Sequence, residues 1–520
     1  MNLPPEWRSQ LKSIQLLGVI NSKLLKEVGV QQFLQPIIDD LLKLQFGVDL
    51  KIRNEKRKWF GIVVNFVGDM PASNWVAGFK ESASARKPCR FCYIENTDME
   101  NIHREIDCSM RSKESHTKDL ADILKTGITK QCRRTQSMKT GVVGESIFSQ
   151  LSYFDVTKCF VSDIMHLLDE GIENLEVCKM LNKFLTNKIV DLDEINTKLS
   201  NVIPQREFTR PPPLRKDEIL ALSKLSMSSS EMAALISILP LVLSEYVCND
   251  NPFYAIFLLL LEIVSSLQCY SFAEKDLLEL EMKIKIHNST FVSLYPKEDS
   301  GSAITPKLHA LLHMTEQIRM FGPPRYSACY RYESKNAPFK TVMKRNCNFR
   351  NVPFSLASRH QKMLALSISI DGENNFFGDG IKLFNINKHL KVDTQETKWD
   401  ELLKNNGISE TIHLAKKFQI AGRTCAIDTI FLRKMSANKL TLPSFWRVAE
   451  ITSSENKKGI GLIMELLETC YFEEDRFSYI LKPKQTFSDI TAESLVFKVP
   501  LQSFEIDGFF HLVPNYYHIL

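Results

Sequence analysis

Residues Gly61 to Gly68 read GIVVNFVG, and Asp69 follows at once. A short apolar run rich in β-branched residues, bounded by glycines, is the pattern of a strand covered on both faces. The spacing therefore predicts a strand over 61–68 with Asp69 at its end. Upstream, Leu24, Leu25, Val28, Phe33, Leu34, Ile37, Ile38, Leu41 and Leu42 recur at helical spacing, which predicts one or two amphipathic helices across 21–45. Downstream, residues 94–145 are polar, charged and weakly periodic, as expected of a loop-rich excursion.

From Leu151 to about Leu294 the pattern is strongly helical, interrupted by the proline-rich TRPPPLRKDE from Thr209 to Glu218, which must be extended. Residues 304–320 form another helix, with Pro306 in its first turn, and helical spacing resumes from Tyr330 to Lys344. The last eighty residues alternate like short strands separated by turns. The expected class is mixed α+β in five parts. Residues 1–93 carry a strand-containing core segment, 94–303 a loop-rich and then helical insertion, and 304–385 a return to the core. Residues 386–440, which include KVDTQETKWDE, form a linker, and 441–520 a small β-rich domain.

The bulk properties narrow the class. At 520 residues the chain is too long for one hydrophobic core, and 44% hydrophobic with 24% charged residues excludes a disordered chain. A net charge of +5, from 66 Lys and Arg against 61 Asp and Glu, permits contact with nucleic acid without arguing for it. The apolar stretch Pro252 to Leu267 is shorter than the roughly 20 residues a bilayer requires and contains Glu262, so it predicts a buried helix and no membrane partner. The opening MNLPPEWRSQ has no secretory signal pattern, so the twelve cysteines are read as free thiols with a few metal ligands.

Cys89 and Cys92 in PCRFCY have the spacing that lets two sulfurs face one tetrahedral metal, and His309 and His313 lie four apart on one helix face. Either pair alone is weak. Their arrangement is stronger, because Asp69 lies 20 residues before Cys89 and Glu333 lies 20 residues after His313. The order is acid, CxxC, long helical insertion, HxxxH, acid. A structural zinc at Cys89, Cys92, His309 and His313 would pin both ends of the insertion to the core, keeping Asp69 and Glu333 within reach of the same magnesium or manganese ions. Competing readings are a local finger joining Cys89 and Cys92 to His103 and Cys108, Asp69 as a mere helix cap, and Glu333 in a charge network with Arg331 and Lys335.

The stretches GDMPASNWVAGFKES with KPCRFCY (Gly68 to Tyr93), SDIMHLLDEG (Ser162 to Gly171) and PKLHALLHMTEQIRMFGPPR with YRYESKNAPFK (Pro306 to Lys340) resemble the transposases of CACTA (En/Spm-like) DNA elements over roughly residues 1–375. The catalytic subunit of the antigen-receptor recombinase is similar in plan. The resemblance implies an RNase H-like core that is N-terminally truncated, with Asp69 as the second catalytic acid and Glu333 as the third. It also implies Cys89, Cys92, His309 and His313 as zinc ligands, transposon-end DNA as partner, compatibility with a homo-oligomer, and a nuclear location; without it the location would read as cytoplasmic. In that family a first aspartate stands on an earlier strand, so the chain from Met1 is expected to lack a full triad and to be inactive in DNA strand cleavage. The alternative is a host-adopted scaffold that binds DNA or protein without catalysis. His166 of SDIMHLLDEG is assigned no role, because Leu167 stands where the family usually has an acid.

Overall fold

The computed structural model describes residues 11, 13–52, 54–202, 204, 209–297, 303–346, 349–375, 382–391, 399–405, 411–420, 423–434, 442–454, 459–506 and 508–514. The chain is mixed α+β, with a helical region and a C-terminal β half-barrel. It divides into two compact units, one made of Ile14–Met180 and Glu262–Lys362, the other of Met1–Ser13, Leu181–Leu261 and Met363–Leu520. The segment 94–303, expected as one insertion, is thus shared between both.

In the first unit the periodicity across 21–45 becomes the helix Ser22–Phe46, started by the Asn21 side chain accepting from Lys23 N–H and broken at Gly29, whose φ is +80°. Its buried Val30 and Ile38 join Val76, Ala77, Phe79, Ile147, Phe148, Phe154 and Phe160 in one core. Phe148 sits at the centre of the aromatic part, with ring centroids 4.8 Å from Phe154, 5.6 Å from Phe160 and 5.8 Å from Phe66. Burial of each such side chain contributes roughly 1.5–3 kcal/mol. β1 (Val48–Ile52) and β2 (Glu55–Trp59) form an exposed antiparallel hairpin.

The expected strand over 61–68 is a shorter one, β3 (Phe66–Gly68), paired in parallel with β4 (Phe160–Ser162). Ile62 and Val64 are 62% and 58% exposed, so the run is not covered on both faces. The reason is local. No strand neighbours residues 61–65 among those described; the Gly61 N–H donates to Leu44 O, and the Val63 N–H to the Tyr153 hydroxyl at 3.1 Å. Pairing begins where Phe66 N–H reaches Cys159 O at 2.8 Å.

The expected loop-rich excursion over 94–145 contains two helices. Lys113–Leu124 starts on a capping box of Ser112 and Ser115, and Lys130–Thr140 runs between a Thr129 N-cap and a Gly141 C-cap at φ +79°. The second buries only Ser137. A helix polar all round carries no hydrophobic period, so only its caps mark it. After β4 the chain enters a π-helical segment, Met165–Ile172, leading into the helix Glu173–Thr186. The helix predicted over 304–320 is Pro306–Ala310, a 3-10 turn Leu311–His313, and Met314–Phe321; Tyr330–Ser334 and Asn336–Asn346 follow.

In the second unit the helices Leu192–Asn201 and Ser229–Leu243 lie either side of the proline-rich stretch, which is non-helical from Thr209 to Arg215 but turns into the short helix Lys216–Leu220 where extension to Glu218 is expected, and the expected apolar helix Pro252–Leu267 starts in this unit and ends in the first. No described helix is long and apolar enough to cross a membrane. The antiparallel sheet is formed by β5 (Lys382–Lys391), β6 (Thr411–Ile420), β7 (Arg423–Ala426), β8 (Ile430–Lys434), β9 (Ser444–Ser454), β10 (Gly461–Glu473), β11 (Ser478–Thr491), β12 (Ser503–Ile506) and β13 (Phe509–Leu512). Their order is β12-β13-β11-β10-β9-β6-β5, with β7 on β6 and β8 on β9. The strand-rich end expected over 441–520 is there, but the stretch 386–440 is no linker. It supplies most of β5 and all of β6, β7 and β8, although 392–398, 406–410, 421–422 and 435–440 within it lie outside the described residues. The sheet needs these strands because β9 pairs through Ile412–Ala415 of β6 and Ile430–Lys434 of β8.

Candidate metal centre

Cys89 and Cys92 sit on the loop after the short helix Met70–Ala77, His309 lies in the helix Pro306–Ala310, and His313 is the last residue of the 3-10 turn Leu311–His313. That turn matters: its tighter winding presents both imidazoles at one point. Cys89 Sγ lies 3.5 Å from His313 Nε2, Cys92 Sγ 3.2 Å from His309 Nε2, and the two Nε2 atoms are 3.2 Å apart. All four ligand atoms lie within 4.8 Å of one another, a group able to hold a metal ion. One tetrahedral ion with bonds of about 2.3 Å to sulfur and 2.05 Å to nitrogen would separate its ligands by about 3.6 Å (S to N) and about 3.3 Å (N to N), close to these distances.

The surroundings favour an ion. His313 Nδ1–H donates to Glu105 Oε1 at 2.7 Å, which fixes the tautomer and turns the Nε2 lone pair inward. Burial alone would push the Cys89 thiol up, but the hydrogen bond with Cys92 and the charge of His313 more than offset it and hold it well below the usual thiol range. Burial works to lower His313, and the Cys89 charge outweighs it, pushing this imidazole up to about 10. The protein alone thus favours a thiolate beside an imidazolium, the charge pattern a divalent cation replaces. The CxxC loop is rigid: Arg111 Nε donates to the Cys89 and Cys92 carbonyls, and buried Arg90 Nε donates to Phe160 O of β4 at 2.7 Å.

The local finger is not the group assembled. Cys108 is a neighbour of Cys92 whose hydrogen bond raises the Cys92 thiol, yet neither Cys108 nor His103 belongs to the ligand cluster.

A second group, Asp163, His166 and Cys329, is also close enough to hold a metal. Asp69 and Asp163 directly follow β3 and β4, whose last residues Gly68 and Ser162 pair, so both acids leave neighbouring parallel strands at the same level. Asp69 Oδ1 accepts from Ala72 N–H at 2.6 Å, so the acid does cap the next helix. Asp163 is fully buried, with Oδ1 accepting from Cys329 N–H at 2.8 Å and Oδ2 from His166 Nδ1 at 2.6 Å. His166 Nε2 lies 3.1 Å from Glu333 Oε1. Glu333 therefore pairs with His166, on the turn that begins one residue after Cys329. Burial pushes the Cys329 thiol well up, and the charges of Asp163, Glu333 and Asp69 add to the effect. The Asp163 hydrogen bond raises the His166 imidazole, and the Asp163 and Glu333 charges support it.

Two links tie this group to the cysteine and histidine cluster. Lys307, two residues before His309, donates from Nζ to His166 O at 2.6 Å and Glu170 O at 3.1 Å. Gln317 Oε1 accepts from Ser162 N–H at 2.7 Å. No ligand spacing in the sequence marks Asp163, His166 and Cys329 as a group, although one signal is present: FVGD at 66–69 and FVSD at 160–163 are the same strand-and-acid pattern. The chain matches no family model and no curated protein.

Proposed function

We propose that the chain is a transposon-derived protein of the CACTA transposase kind. In this reading a structural zinc at Cys89, Cys92, His309 and His313 braces an RNase H-like core, and Asp69 and Glu333 belong to a magnesium or manganese site of the kind that cleaves and transfers DNA strands, a pair expected to be inactive in cleavage unless another residue completes the site. The observation that carries it is the meeting of CxxC and HxxxH across 217 residues, with the charges of both flanking acids acting on Cys329. The parallel β3 and β4 pair supports the core assignment, since it places Asp69 at a strand's end with Asp163, through His166, connected to Glu333. Carboxylate oxygens suit hard divalent cations, and two such ions about 4 Å apart activate water and then a 3′ hydroxyl for in-line attack on phosphodiesters. The chain's own residues position that chemistry: Glu333 is held by His166, and Asp69 is fixed at the start of the Met70–Ala77 helix. DNA ends as partner and a nuclear location go with this reading.

The test is nicking of supercoiled plasmid and of labelled duplex in magnesium or manganese by the wild type, Asp69→Ala and Glu333→Ala. Cleavage lost in both variants supports the enzyme; cleavage that persists in both overturns it. A non-catalytic scaffold is the second reading, favoured by the structural tasks both carboxylates already perform, one as a helix cap and one as the partner of His166. It expects salt-sensitive DNA binding that is equal in all three proteins, with no nicking.

A further inference from the structure

We propose that His166 is a third metal-binding residue of the Asp69 and Glu333 site, and that it directs this site toward a transition-metal ion, manganese(II) or zinc(II), over magnesium. The inference rests on the reading that Asp69 and Glu333 serve one ion. Its own basis is geometric.

Asp163 cannot act as the outward-facing acid that its place beside Asp69 suggests. It is fully buried, Oδ1 is held by Cys329 N–H, and Oδ2 is held by both the backbone N–H and Nδ1 of His166. Those bonds give it a different task, which is to fix the imidazole. A carboxylate on Nδ1 keeps the proton there and aims the Nε2 lone pair away, the arrangement found behind metal-bound histidines. In this case Nε2 is aimed at Glu333 Oε1, 3.1 Å away. A proton on Nε2 bridges this gap in the charged imidazole, and a cation that takes the proton's place would bond the same two atoms. Two ligands bonded at about 2.1 Å to one ion, at an angle of about 95°, lie about 3.1 Å apart.

The position is also open to ions. His166 is 18% exposed and Glu333 51% exposed at their side chains, whereas Asp163 is sealed beneath them. His166 lies in the π-helical segment Met165–Ile172, which Lys307 secures by filling the space over Gly171, where an added Cβ would meet Lys307 Cδ at 2.4 Å. Selectivity follows from ligand chemistry. Magnesium holds its water and prefers oxygen, while imidazole nitrogen raises affinity along the transition series; a site of two carboxylates and one imidazole, with Cys329 Sγ within 4.8 Å of the Asp163 and His166 ligand atoms, suits manganese or zinc.

The experiment uses the full chain with the cysteine and histidine site loaded with zinc. Manganese(II) is titrated and followed by the free-ion EPR signal, magnesium is titrated by calorimetry, and electron spin-echo modulation of the manganese complex tests for bound 14N. The wild type is expected to bind one manganese with 14N modulation. His166→Ala should weaken manganese by about tenfold or more, with magnesium within about twofold, and Asp163→Asn should weaken manganese by a similar factor through the lost orientation. The modulation needs only the wild type, so a poorly folding variant does not remove the test. Manganese bound without 14N modulation overturns the role of His166, and if Asp69→Ala and Glu333→Ala still lose the ion, the two-carboxylate site survives that failure. Modulation present with binding unaffected by both acid variants overturns the shared site, and the present inference with it. Absence of binding up to about 1 mM manganese overturns both.

Discussion

Replacing Glu105 tests the cysteine and histidine centre without touching a ligand. Glu105 Oε1 accepts from His313 Nδ1–H at 2.7 Å, and the His313 side chain is 1% exposed. In Glu105→Ala that N–H has no partner in a dry position, which costs about 1–3 kcal/mol, and the imidazole loses the negative charge that raises its basicity toward the ion. Outer partners of this kind are worth about 10–100-fold in metal affinity, or about 1.4–2.7 kcal/mol, and the two figures agree. Glu105→Gln keeps an acceptor but no charge and should fall at the lower end, near tenfold. The assay is competition for zinc against a chelating dye at fixed pH, paired with thermal unfolding at a free zinc concentration well above the dissociation constant. Under that condition the apparent stability should fall by the same 1.4–2.7 kcal/mol, because binding free energy adds to folding free energy. Zinc affinity within about twofold of wild type in Glu105→Ala would refute the reasoning. So would Cys108→Ser displacing zinc as completely as Cys92→Ser, since the ligand set would then be misassigned.

His287 and Glu176 form a fully buried pair at 2.8 Å; burial works to lower His287, and the Glu176 charge and hydrogen bond more than offset it. A raised folded value means the pair stabilises most below about pH 6.5, so the stability difference between wild type and His287→Gln should shrink as pH climbs from there through the raised value, as read by urea unfolding at several pH values. Gly78 ends the Met70–Ala77 helix at φ +79°, and an added Cβ would lie 2.1 Å from Gly144 O, so Gly78→Ala should cost about 3 kcal/mol or more; a loss under about 1 kcal/mol would be inconsistent with that contact. In the β unit, Arg447 pairs with nearly buried Glu465, and Arg447→Met should cost about 3–5 kcal/mol in urea unfolding by leaving a buried carboxylate alone, whereas a neutral effect would mean the pair is replaceable by packing.

The elements legible in the sequence are those with an apolar period: Ser22–Phe46, Pro252–Leu267 and the strands after Phe445. Lys130–Thr140 was not, because it buries one serine and is set by its caps. The sheet's first strands read as linker because KLFNINKHLK and TIHLAKKFQI mix lysine and histidine into strands that are recognisable only by what they pair with. The cysteine and histidine group was legible because ligand chemistry survives any separation along the chain. Asp163 and His166 were not, because an aspartate's task depends on which strand lies beside its own, and that pairing appears only once Gly68 meets Ser162.

The separation of the ligand pairs has a consequence in time. Cys92 and His309 are 217 residues apart, so at about 5–20 residues per second a ribosome finishes the cysteine pair roughly 10–40 s before the histidines exist. During that interval the thiols supply only two of the four ligands and would hold the proposed zinc weakly, open to oxidation or to exchange with other metal carriers. Closing so long a loop also carries an entropy cost of about 5 kcal/mol by chain statistics, so the histidines capture the ion only after intervening helices have shortened the distance. Metal occupancy in freshly made chains should therefore lag behind synthesis and mark the chains whose distant segments have already docked.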